Sequence, residues 1–79
     1  MNKNVIRIGQ VRYWERFPYI ITEGDEIRGY RVIVKYPDIY KDSFWSQAII
    51  FWWSKETIRN DIIIEDKKII KELKLMSIR

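Results

Sequence analysis

Between Gly29 and Tyr36 the side chains alternate: Tyr30, Val32, Val34 and Tyr36 fall on one parity, and Arg31, Ile33 and Lys35 on the other. A period of two with β-branched residues at its centre does not fit an amphipathic helix and specifies a strand. One strand cannot bury its own apolar face, so the rest of the chain must supply partners. The segment Ala48 to Trp53 is apolar throughout. It reads as a central strand buried on both faces and paired with the first.

The remaining elements are short. From Val5 to Phe17 the apolar parity switches after Gly9, from Ile6 and Ile8 to Val11, Tyr13 and Phe17. Such a switch predicts a β-bulge or sharp bend within one strand, with Gln10, Arg12, Trp14 and Arg16 on the opposite face. Pro18 is expected to interrupt pairing, and Glu23-Gly24-Asp25-Glu26 to turn a hairpin after Tyr19 to Thr22. Pro37-Asp38 ends the alternating strand, and 38–46 reads as a loop carrying Tyr40, Phe44 and Trp45. Ser54 suits the N-cap of a short helical turn stopped at Asn60-Asp61, with a strand from Asp61 to Glu65. The spacing of Ile69, Ile70, Leu73 and Met76 favours a short C-terminal amphipathic helix over a hairpin turned at Glu65-Asp66-Lys67-Lys68.

These elements predict a β-dominated α+β fold: a small, strongly bent antiparallel sheet or SH3-like barrel of four to five strands, closed by the C-terminal helix. The opening Ile8-Gly9-Gln10-Val11-Arg12-Tyr13 resembles the first strand of small SH3-like phage proteins. That resemblance covers six residues and transfers no site residue. With 79 residues and no linker-like stretch, residues 1–79 are expected to form a single domain. Four Trp, five Tyr and three Phe compensate for the short length, because each buries a large area.

The chain contains neither cysteine nor histidine. Disulfides, thiolate nucleophiles, the usual general base near neutral pH and the commonest soft metal ligands are therefore all missing. No Gly-rich phosphate loop or nucleophile elbow occurs, so neither an enzymatic role nor a metal or other cofactor is expected. Glu23, Asp25 and Glu26 crowd one turn but lack the ligand set of a calcium loop, and read as solvated charges. The N-terminus has no signal-like apolar stretch and no window suits a membrane span, so a cytoplasmic protein without membrane attachment is expected. Charge is uneven along the chain: residues 1–35 carry seven basic and four acidic groups, 36–66 three and six, and 67–79 five and one. The net charge of +4 is modest for a dedicated nucleic-acid binder.

Candidate contact residues are those that combine aromatic and cationic chemistry. Arg12, Trp14 and Arg16 fall on one strand parity, where an indole between two guanidiniums suits either a base with its phosphates or a protein hot spot. The bland alternative has Trp14 covering the end of the barrel, with the arginine stems lying over it. Arg31 and Lys35 extend the cationic face, and Trp45 is a further aromatic candidate. Trp52 and Trp53 are adjacent in a strand and point to opposite faces, so one of them needs cover outside the main core. It either packs beneath the C-terminal segment or joins an exposed patch with Trp45. Lys67, Lys68, Lys71, Lys74 and Arg79 form the wet side of the last helix, a solubilising face.

The expected function is that of a non-enzymatic binding module: a small accessory protein of the phage or mobile-element kind that binds and blocks a host protein through an aromatic and arginine surface. The alternative is a nucleic-acid-binding protein using a basic, aromatic sheet face. A protein partner is favoured because the acidic middle segment opposes polyanion binding.

Overall fold

The computed structural model describes residues 5–35 and 48–77. The expected loop 38–46, with Trp45, lies outside the described residues, as does Tyr36. Among the described residues five strands, β1 (Val11–Trp14), β2 (Phe17–Asp25), β3 (Gly29–Val34), β4 (Ile49–Trp53) and β5 (Ile62–Ile63), occur with a short helix α1 (Lys55–Ile58) between β4 and β5 and a last helix α2 (Lys67–Ser77). They form one antiparallel sheet in the order β4-β3-β2-β1-β5. The chain is thus a β-dominated α+β structure with a C-terminal helix.

The expected first strand is divided. Gly9 takes a φ of +89°, and its N–H donates to the Ile21 carbonyl at 2.7 Å before β1 proper begins at Val11. β1 then ends in a two-residue turn at Glu15-Arg16, closed by Trp14 opposite Phe17. Glu15 has a φ of +55° there. That conformation is one a tight hairpin demands and a residue with a Cβ adopts at some cost, so no Asn-Gly signal announces the turn.

Pro18 does not interrupt the sheet. It pairs with Tyr13, and its carbonyl accepts from the Lys35 N–H at 2.9 Å. The donor that proline lacks therefore falls past the last residue of β3, where little ladder is lost. The register shifts between Ile21 and Glu23, leaving Thr22 as an extra residue in β2. The hairpin turn lies later than expected, at Glu26 to Arg28, where the Asp25 carboxylate accepts from the N–H groups of Ile27 and Arg28 at 2.9 and 2.7 Å.

Both sheet faces are packed. On one, Tyr19, Ile21, Tyr30, Val32, Val34 and Ile58 form a core joined by Ile6, Trp14, Phe17, Phe51 and Trp53. On the other, Val11, Ile20, Ile33, Ile64 and Leu73 pack together, joined by Tyr13, Ile69, Ile70 and Met76. α2 supplies the second cover, as its apolar spacing predicts, and starts where Asp66 Oδ1 accepts from the Lys68 N–H at 2.9 Å.

β4 pairs with β3 from Ile49 opposite Val34 to Trp53 opposite Tyr30, as the two apolar segments predict. Among the described residues, however, it lies at the edge of the sheet and not at its centre. Phe51 and Trp53 face the first core, whereas Ile50 and Trp52 point to the other side, where they are 52% and 55% exposed. A continuous apolar run signals burial on both faces only if cover reaches both, and α2 packs chiefly on β2.

The two adjacent tryptophans should accordingly differ in their effect on stability. Trp53→Ala removes an indole that meets Trp14, Tyr19 and Phe51, and should lower unfolding free energy by about 3 kcal/mol. Trp52→Ala should change it by less than about 1 kcal/mol. Urea unfolding of both variants, followed by far-UV circular dichroism, checks the contrast.

Candidate functional site

Arg12 is 0% exposed, so it leaves the surface stripe that its parity with Trp14 suggests. Its guanidinium is satisfied from three directions. Nε donates to Gln10 Oε1 at 2.7 Å, Nη2 to the Val5 carbonyl at 3.1 Å, and Nη1 to the carbonyls of Ile58 at 3.0 Å and Asp61 at 3.2 Å. Burial pushes its pKa down, while nearby Tyr19 and Asp61 push it up. A rigid fork of donors suits the convergence of several carbonyls better than an ammonium would.

Beside it, the Tyr19 hydroxyl donates to Asp61 Oδ2 at 2.6 Å. Burial, followed by that hydrogen bond, drives the Tyr19 phenol upward and keeps it neutral. Desolvation likewise raises the Asp61 carboxyl above its ordinary 3.8, against the downward pull of the Tyr19 hydrogen bond and the Arg12 charge. This trio is internal scaffolding. It fixes the N-terminal segment and the α1–β5 connection to the sheet.

Trp14 is half-buried among Phe17 and Trp53, with ring centroids 5.7 and 5.5 Å away. Arg16 is exposed in the β1–β2 turn, with its guanidinium 5.4 Å from the Phe17 ring centre. Lys35 pairs with Glu72 of α2. Of the predicted contact residues, Arg12 and Lys35 thus serve the fold, Arg16 lies apart at a turn, and Trp45 is outside the described residues.

Arg31 has different company. It sits opposite Trp52 in the β3–β4 ladder, so the two side chains share the sheet face that α2 leaves open, with Ile50 two residues along. The β2 bulge places Thr22 against it: Arg31 Nη1 donates to Thr22 Oγ1 at 3.0 Å, and that hydroxyl donates to the Arg31 carbonyl at 3.1 Å. A half-exposed indole beside an oriented guanidinium, with an isoleucine adjoining, is the composition of an interface anchor. The sequence signalled that one of Trp52 and Trp53 lacks a core place. It did not show which one, because that depends on how far α2 reaches. No protein-family model matches the chain, and comparison with curated proteins and with solved structures found no match either.

The raised Asp61 carboxyl has a pH consequence of definite sign. An acid with a higher pKa folded than unfolded contributes stability that is full below the unfolded value and is lost as pH rises through the folded one. Asp61→Asn keeps an acceptor for Tyr19 and removes the titration. As pH falls from 7 towards 4, the wild type should therefore gain stability relative to Asp61→Asn, measured by urea titrations at stepped pH. A constant difference across that range would contradict the assignment.

Proposed function

We propose that the protein is a non-enzymatic binding module that covers a protein partner's surface through Trp52, Ile50 and Arg31. The observation that carries this reading is the large exposure of Trp52 and Ile50 on an edge strand, beside an arginine held in place by Thr22. The order β4-β3-β2-β1-β5, with α1 between β4 and β5, supports viewing the scaffold as a small SH3-like barrel left open at one seam. Its complement is an apolar patch bearing a carboxylate, because the anchor presents indole and isoleucine with one guanidinium on a chain of net charge +4.

Nucleic acid is the weaker reading for a physical reason. Arg12 is buried among carbonyls, Arg28 pairs with Asp25, Lys35 with Glu72 and Lys55 with Glu26. Few cations remain on the aromatic face to displace counterions from a phosphate backbone. Among the described residues, the exposed Lys67, Lys68, Lys71 and Lys74 of α2, with Arg7, Arg16 and Arg59 elsewhere, are the cations outside these pairs that could do so.

The test is capture of the partner on immobilised protein with and without nuclease, followed by affinity measurements on variants. Retention should survive nuclease, and Trp52→Ala should weaken binding about 30-fold or more with its melting temperature nearly unchanged. Retention lost to nuclease, with a salt slope that falls on Lys71→Ala and Lys74→Ala, would establish nucleic acid instead.

A further inference from the structure

Away from the Trp52 face, the structure contains a half-open cleft of about 500 Å³ lined by Val5, Ile6, Glu26, Tyr30, Lys55 and Arg59. Three separate pieces of chain form it: the segment before β1, the β2–β3 hairpin and α1. Arg12 holds two of its walls in place, since the same guanidinium binds the carbonyl of Val5 and that of Ile58. A volume of this size is within the range of small-ligand sites.

Its lining is chemically sorted. Lys55 and Arg59 lie one turn apart, so both cationic side chains share one side of α1. Arg59 has no hydrogen-bond or ion-pair partner for its guanidinium among the described residues, and Lys55 meets only Glu26, at 3.6 Å between exposed groups. Tyr30 is 8% exposed, yet its hydroxyl makes no hydrogen bond among the described residues. No buried side-chain oxygen or nitrogen among the described residues is left orphaned, so that hydroxyl keeps contact with solvent. Ile6 and the Tyr30 ring supply an apolar floor that packs into the core beneath.

We propose that this cleft binds a small organic anion: a phosphate or carboxylate group on an apolar or aromatic body. The anionic group meets Arg59, Lys55 and the Tyr30 hydroxyl, and the body rests on Ile6 and the Tyr30 ring. Charge-assisted hydrogen bonds to a guanidinium are the strong contacts here. Glu26 competes for Lys55 as a weak internal anion, because an exposed pair at this separation is readily displaced. The site is independent of the Trp52 surface and stands or falls without it.

Amide chemical-shift titrations of the whole chain test the proposal, with phenyl phosphate and phenylacetate as probes and benzyl alcohol as the neutral control. Saturable shifts at Ile6, Tyr30 and Arg59 are expected with at least one anion, and the stronger of the two identifies the phosphate or carboxylate source. Arg59→Gln should weaken that binding about tenfold or more, and Glu26→Gln should strengthen it by up to about fivefold. Trp52→Ala should leave it unchanged. Equal response to benzyl alcohol, no saturation with either anion, or full affinity in Arg59→Gln would overturn the proposal.

Discussion

A guanidinium with no solvent exposure is tolerable only if its donors find acceptors, and Arg12 finds them on residues scattered through the chain. Gln10 is two positions away, Val5 seven, and the carbonyls of Ile58 and Asp61 lie 46 and 49 positions away. A single side chain on β1 therefore ties the N-terminal segment to the C-terminal end of α1 and to the start of β5. Among the described residues these parts have little ladder pairing, since β5 has two residues and residues 5–8 lie in no strand. Asp61 and Tyr19 complete the cluster, and no buried side-chain polar atom among the described residues is without a partner. Such a network, fully satisfied, specifies one arrangement of the segments it joins.

Once those segments are fixed, the exposed features follow. α1 brings Ile58 under the first core and turns Lys55 and Arg59 outward, opposite the segment that carries Ile6. On the far face, α2 covers Val11, Ile20 and Ile33 through Leu73 and its apolar neighbours, and Lys35 pairs with Glu72 alongside. The helix packs chiefly on β2, two strands away from β4 in the sheet order. Ile50 and Trp52 are what it leaves open.

Much of the fold is legible in the sequence because period and turn chemistry are local. The alternation through Tyr30, Val32 and Val34 gives β3, the apolar run gives β4 and its pairing, and the spacing of Ile69, Ile70, Leu73 and Met76 after Asp66 gives α2. What is not legible depends on distant partners. The parity of Arg12 with Trp14 is visible, but nothing near Arg12 reveals that carbonyls more than forty residues away will enclose it. The apolar run of β4 cannot show that it lies at the edge, because edge position is a property of the whole strand order. Glu15 in a left-handed turn and Pro18 within a strand both contradict local preference, and each is accommodated by the pairing of Trp14 with Phe17 and Tyr13 with Pro18. Of the candidate contact residues that the structure describes, Arg31 comes to lie beside the exposed Trp52, which the strand register decides.

The dependence of this structure on Arg12 is open to one direct measurement: unfolding free energies of the wild type, Arg12→Lys and Arg12→Met by denaturant titration. A domain of this length has about 4–12 kcal/mol in total, so the loss is large on that scale. Arg12→Met has similar bulk but strands the carbonyls of Val5, Ile58 and Asp61, and should lose about 3–5 kcal/mol, with Arg12→Lys falling between it and the wild type. If Arg12→Met is within about 1 kcal/mol of the wild type, the buried guanidinium is not what holds these segments together.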